Sequence, residues 1–145
     1  MGQAKAKINA KFPLIGVAAE GTVILPNSKS LNPEAASLES HHTQFILIPG
    51  KNWGDESPWL SRFATELGKT VSSITALING GEIARKDVAH SLSDNRPVVV
   101  FAGSGRLADE LATESRKASP LIKILNLTAT SENILLFLKN LLRRQ

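Results

Sequence analysis

Four consecutive residues, Gly103-Ser104-Gly105-Arg106, carry the clearest chemical signal in this chain. Glycines allow positive φ and let a ligand come close to the main chain. The arginine beside them has the planar fork that grips a phosphate with two parallel hydrogen bonds. The cluster directly follows the apolar run Pro97-Val98-Val99-Val100-Phe101 and directly precedes a helical pattern. A helix starting there aims N–H groups and the positive end of its dipole at an anion above it. A second cluster, Asn79-Gly80-Gly81, stands in the same relation to the run 71–78 and to the next helical pattern. Either cluster alone reads equally well as an ordinary strand-to-helix turn. Two of them on consecutive strand ends, the second followed by arginine, favour a phosphate site.

Other residues are candidates with a plainer reading beside the chemical one. Asp109, three positions beyond Arg106, orients that arginine, reaches a ribose hydroxyl, or simply favours the helix start by its charge. Segment 53–59 reads Trp-Gly-Asp-Glu-Ser-Pro-Trp. Trp53 is suited to stack on a base or wall a pocket, whereas Trp59 falls on a helix and reads as core packing. Glu56 and Glu82 are the carboxylates placed to act as general acid or base, although each also suits a helix start. His41 and His42 are adjacent, the wrong spacing for two ligands from one element, and no cysteine completes a metal set, so no metal centre is expected. His90 lies late in its helix and reads as surface. Ser104 lacks the surroundings of a nucleophile elbow, so acyl transfer is not favoured.

These residues need a scaffold, and the hydrophobic pattern supplies one. Residues 1–11 are small and basic without periodicity, the expectation being a flexible lead-in to a single domain over 12–145. Leu14-Ile15-Gly16-Val17-Ala18 reads as a buried strand, which Gly21-Thr22-Val23-Ile24-Leu25 continues after a turn or bulge. Residues 26–40 read as loop with one helical turn. Phe45-Ile46-Leu47-Ile48 is a strand stopped by Pro49-Gly50. Ser57-Pro58 opens a helix, with Leu60, Phe63, Ala64 and Leu67 as its expected buried stripe and Gly68 at its end. Strands over 71–78, 97–101 and 121–127 then alternate with helices marked by Ala84, Val88, Ser91 and Leu92, by Leu107, Ala108, Leu111 and Ala112, and by Ile134, Leu135, Leu138, Leu141 and Leu142. Thr130 or Ser131 caps the last helix, and Arg143-Arg144 suit the C-terminal end of its dipole. Strands that are continuously apolar have both faces covered. The pattern predicts an α/β fold, a Rossmann-like three-layer sandwich with a mainly parallel sheet, whose ligands bind at the C-terminal strand ends.

Composition narrows the partners. Lysine plus arginine exceeds aspartate plus glutamate, 17 against 13, which favours anionic ligands in general. The basic residues are scattered without a tract, so nucleic acid is not an expected partner. No apolar run approaches the ~18–20 residues that span a bilayer, and the start lacks the apolar core of a signal peptide. A cytoplasmic protein is expected, acting as a homo-oligomer or as a piece of a larger chain.

Three segments together resemble one family: Trp53-Gly54-Asp55-Glu56-Ser57, Ile78-Asn79-Gly80-Gly81-Glu82-Ile83, and the run from Arg96 through Gly103-Ser104-Gly105-Arg106-Leu107-Ala108-Asp109. They are similar to the prokaryotic branch of the LSDAT group in the SLOG superfamily, whose name joins the Smf/DprA and LOG proteins. Its eukaryotic branch is the N-terminal cytoplasmic domain of TRPM channels. The resemblance covers about residues 13–112, and the Gly-Ser-Gly-Arg-x-Ala-Asp string is its most specific part.

The resemblance implies a binding or sensor domain for a nucleotide-derived ligand such as ADP-ribose or an NAD relative, with no cofactor required. It implies that Gly103, Ser104, Gly105 and Arg106 hold phosphate, that Gly80 and Gly81 form the adjoining wall, and that Gly16 sits under the ligand. The LOG enzymes, which cleave the N-glycosidic bond of nucleoside monophosphates, carry Pro-Gly-Gly-x-Gly-Thr-x-x-Glu. Here the turn begins Asn79-Gly80-Gly81-Glu82-Ile83, without the Gly-Thr pair, and ends on Asp87 in place of Glu. A nucleotide N-glycosidic hydrolase is therefore the second reading, and single-stranded DNA binding, suggested by the Smf/DprA relatives, the third.

Overall fold

The computed structural model describes residues 1–29, 32–114 and 119–143. The chain divides into two compact units, Met1–Trp59 and Leu60–Gln145. Both are built of parallel strands, and together with the connecting helices they form an α/β, Rossmann-like protein. Among the described residues no helix is long and apolar enough to cross a membrane.

The first unit contains helix α1 (Gly2–Lys7) and strands β1 (Ile15–Ala19), β2 (Val23–Ile24), β3 (Ala36–Ser37) and β4 (Gln44–Ile48). β1 pairs in parallel with β4, Gly16 opposite Phe45 and Val17 opposite Ile46. A turn of 3-10 helix, Glu20–Thr22, separates β1 from β2. The described part of 26–40 contributes β3, which pairs with β2, in place of the helical turn expected there. The basic start has no apolar period, yet Gly2–Lys7 is helical and Lys5 Nζ donates to Thr43 Oγ1 at 3.3 Å.

Helix α2 (Ser57–Gly68) begins at the end of the first unit. The second unit then holds β5 (Thr75–Leu77), α3 (Glu82–Ser93), β6 (Val98–Ala102), α4 (Arg106–Glu114), β7 (Ile122–Asn126) and α5 (Ser131–Leu142). Its sheet has the order β5-β6-β7, all parallel, with Leu77 opposite Val100 and Ala102 opposite Asn126. Val98, Val99 and Val100 on the central strand are fully buried, so both faces of the sheet are covered there. Each such side chain contributes about 1.5–3 kcal/mol by leaving water. On one face, Leu77, Val98 and Val100 pack with Val88 of α3 and with Leu107 and Ala108 of α4. That packing fixes the two strand-to-helix turns that carry the glycine clusters. Thr130 is the N-cap of α5, its Oγ1 accepting the Asn133 N–H at 3.3 Å. Arg143 stands at the C-cap, and Arg144 lies outside the described residues.

One helix turns the other way from expectation. On α2, Leu60, Phe63 and Leu67 are exposed, while Ser61 is buried. The cause is Arg96, which is 5% exposed and must have hydrogen-bond acceptors. Its Nη2 donates to the Ser61 carbonyl at 2.9 Å and to Thr65 Oγ1. Asp94 Oδ2 accepts from Ser61 Oγ at 2.7 Å and Thr65 Oγ1 at 2.8 Å, and lies 3.5 Å from the guanidinium. The polar side of α2 thus satisfies a buried cation. Hydrophobic periodicity alone does not register that demand.

The same network has a pH signature. The Ser61 hydroxyl first, then the Thr65 hydroxyl, with help from the Arg96 charge, hold the Asp94 carboxyl below the usual aspartate range. A carboxyl whose pKa is lowered by folding contributes stability that is complete above its unfolded pKa, about 4, and lost as pH falls through the folded value. Unfolding curves of wild type and Asp94→Asn are therefore expected to differ near neutral pH and to converge below about pH 4. Urea titrations at several pH values check this.

Candidate functional site

Two loops meet at the C-terminal ends of β5 and β6. After β5 the chain turns through Asn79 (φ 60°) and Gly80 (φ 95°) into α3. Gly80 has no substitute, because its φ is left-handed and a Cβ there would lie 2.9 Å from Leu77 and from Ala84. After β6 the chain turns through Gly103 (φ 89°), Gly105 (φ 97°) and Arg106 (φ 48°) into α4. Arg106 is the unusual member, since a left-handed backbone disfavours a residue with a Cβ by ~1–2 kcal/mol.

The loops are laced together by backbone hydrogen bonds. Ala108 N–H donates to the Asn79 carbonyl at 3.0 Å and Leu107 N–H to the Gly80 carbonyl at 3.4 Å. Asn79 N–H donates to Ser104 Oγ at 2.8 Å, and that hydroxyl donates to the Phe101 carbonyl at 2.6 Å. Asp109 closes the turn from the first turn of α4. One carboxylate oxygen accepts the Gly103 N–H at 2.6 Å, the other the Gly105 N–H at 3.1 Å.

This lacing changes the chemistry expected of the motif. The amides of Gly103, Ser104, Gly105, Leu107 and Ala108 have internal acceptors. The Ser104 hydroxyl is equally committed. What the turn presents outward is the Arg106 side chain. Its guanidinium lies across Gly81, so close that a Cβ on Gly81 would be 2.4 Å from Nη2.

Three arginines of this unit differ in the charges around them. Arg85 donates to both carboxylate oxygens of Glu110, at 2.9 and 2.7 Å, which raises its own pKa and lowers that of Glu110. Arg96 is enclosed by the Ser61–Thr65–Asp94 network. Arg106 is exposed, with neither a carboxylate nor a hydrogen-bond acceptor among the described residues. Beside it, the Gly81, Glu82 and Ile83 amides at the start of α3 have no acceptor among the described residues either. Unpaired donors at a helix start and an uncompensated guanidinium favour an anion.

Gly81 allows a direct check. Its φ of −131° suits any residue, so Gly81→Ala strains no backbone, but its methyl would occupy the place of the guanidinium. The variant is expected to keep its melting temperature within about 2 °C, because surface changes move stability by less than ~0.5 kcal/mol, and to lose anion binding. Thermal denaturation and a binding titration on the same sample check both halves.

The remaining sequence candidates divide between the units. Gly80, Gly81, Gly103, Ser104, Gly105, Arg106 and Asp109 come together as described. Glu82 is at the same edge, but its side chain is largely solvent-exposed and leans to Arg85 at 3.7 Å. Gly16, Trp53 and Glu56 belong to the first unit. There a Cβ on Gly16 would meet the Phe45 ring at 2.5 Å, so its small size serves packing between β1 and β4. Glu56 Oε2 accepts the Gly54 N–H at 2.9 Å and secures that positive-φ turn. Trp53 is about half exposed and, with Lys51, Asn52 and Glu20, lines a cleft of about 920 Å³. His41 and His42 both hydrogen-bond to the Glu39 carboxylate. Asn79 enters the sequence reading only as the first residue of the Asn79-Gly80-Gly81 turn, with no role of its own, and the structure adds it to the site. Its signal was the Asn-Gly pair, since asparagine enters the left-handed region more readily than other residues with a Cβ.

A profile of the family described as SLOG in TRPM, prokaryote, matches residues 1–141. The chain belongs to this family, one of nucleotide-related binding or glycosidase-like domains. The match takes in α1 and nearly all of α5, well beyond the segments that carry the sequence resemblance. No individually curated protein matches the chain in sequence.

Proposed function

We propose that the protein binds a nucleotide-derived ligand through its phosphate, with the Arg106 guanidinium as anchor and the first amides of α3 beside it. ADP-ribose and NAD relatives are the ligands of first choice, and a cytoplasmic sensor or regulatory domain is the role that follows. The observation that carries this reading is the placement of Arg106. A left-handed turn, internally satisfied by Asp109 and Ser104, holds out a guanidinium that no carboxylate neutralises among the described residues. A bidentate, charge-assisted grip on a phosphate is what such a group is suited to.

The geometry adds nothing to the reading of a nucleotide N-glycosidic hydrolase. Glu56 is engaged with the Gly54 amide, and Glu82 is exposed beside Arg85. The binding reading is tested by melting curves across a panel of ADP-ribose, NAD, AMP and inorganic phosphate. A ligand at 100 times its Kd is expected to add about 2.7 kcal/mol. Unchanged melting temperatures across the panel at millimolar concentration contradict it.

A further inference from the structure

We infer that Asp109 is a positioning residue for the anchor: its carboxylate holds the turn that aims Arg106, and it does not itself contact the ligand. The inference rests on the reading of Arg106 as the phosphate anchor. Three residues of the turn, Gly103, Gly105 and Arg106, have left-handed backbones. Such a run has little intrinsic preference to hold its shape, least of all at Arg106, which carries a Cβ. The two oxygens of Asp109 bridge it from inside, each taking one glycine amide, at 2.6 and 3.1 Å. Hydrogen bonds from amides to an ionised carboxylate are of the stronger, charge-assisted kind.

The direction of the Arg106 side chain follows from its backbone, and its guanidinium comes to rest across Gly81. A guanidinium held in its binding position before the ligand arrives loses less freedom on binding. Asp109 lies one turn into α4, and each of its carboxylate oxygens already accepts one glycine amide of the turn. Its negative charge disfavours direct contact with phosphate. The acid therefore acts through the backbone of the turn.

The test combines Asp109→Ala and Asp109→Asn with Arg106→Ala, using ADP-ribose as probe in calorimetric titrations. Asp109→Ala is expected to weaken binding about tenfold through lost preorganisation. Asp109→Asn retains one acceptor oxygen and is expected to weaken it less. In the Arg106→Ala background neither change is expected to alter the residual affinity. In the ligand-free protein, the order parameter of the Arg106 Nε–H group is expected to fall in Asp109→Ala. Hydrogen exchange of the Gly103 and Gly105 amides is expected to rise, while that of Val98–Val100 stays slow. Equal losses in both backgrounds overturn the inference, as does an unchanged Arg106 order parameter. Tighter binding by Asp109→Asn also overturns it, because the carboxylate would then be a competitor for the same donors. If the wild type binds no ADP-ribose, the proposed function fails on that ligand, and the ligand-free measurements still decide the role of Asp109.

Discussion

Arg106→Ala is expected to weaken binding of ADP-ribose by about 10- to 150-fold, the loss of a charged hydrogen-bonding group worth ~1.5–3 kcal/mol. The fold is expected to survive, because the side chain is exposed and engages no acceptor among the described residues. Arg106→Lys keeps the charge but not the two-pronged fork, so an intermediate affinity is expected. Arg106→Gly gives the sharpest contrast. It removes the anchor and relieves a left-handed backbone (φ 48°). The strain relieved is ~1–2 kcal/mol, against an entropic cost of glycine of roughly 0.5–1 kcal/mol. The variant should therefore melt at or slightly above the wild-type temperature while failing to bind. Calorimetric titration and melting curves on the three variants check the set. A large stability loss in all three would instead mark Arg106 as structural.

Leu107→Ala is expected to have the largest effect on stability, about 2–5 kcal/mol for a buried leucine cut to alanine. Leu107 is 3% exposed and packs with Leu77, Val88, Val98, Val100 and Ala108. It also stands under the site. Its amide bonds the Gly80 carbonyl, and its Cβ lies 3.6 Å from where a Cβ on Gly80 would be. The substitution should lower the urea midpoint and also weaken ligand binding, because the Gly80 turn rests on this residue. Leu135→Ala on α5 serves as the control. That side chain is 53% exposed, and the expected change is within ~0.5 kcal/mol. Equal midpoints for the two variants would contradict the placement of the core.

Spacing marks both leucines as part of an apolar stripe, yet Leu107 is buried and Leu135 on α5 is exposed, so periodicity alone does not separate them. Val98-Val99-Val100 is an unbroken apolar run, and only a strand covered on both faces tolerates it, so the centre of the sheet could be read directly. The glycine turns were readable because positive φ and strand ends select Gly and Asn. On α2, Leu60, Phe63 and Leu67 have the right spacing for a buried stripe, yet Ser61 and Thr65 face inward. The deciding partner, Arg96, is 35 residues from Ser61 and 31 from Thr65, beyond the reach of any local pattern. Strand β5 proved shorter than the apolar run 71–78 that marks it, with Val71 exposed and only Thr75–Leu77 paired to β6.

Within the site, residue identity was legible and residue function only partly. Gly-Ser-Gly-Arg suggested a cradle of backbone amides for phosphate. Instead, Asp109 and Ser104 fill that cradle from within, and the outward chemistry concentrates in one guanidinium. Three positions separate Asp109 from Arg106, which brings it within a helical turn but says nothing of which group it bonds. That choice is made by the three left-handed residues of the turn.

The most direct measurement is a titration of the isotopically labelled protein with ADP-ribose, followed by NMR. The expected result is saturable shifts centred on the amides of Gly81, Glu82 and Ile83 and on the Arg106 Nε–H group, with β6 amides nearly unmoved. Absence of shifts at millimolar ligand, or saturable shifts that leave Gly81 and Arg106 untouched, would contradict the assignment of Arg106 as the phosphate anchor.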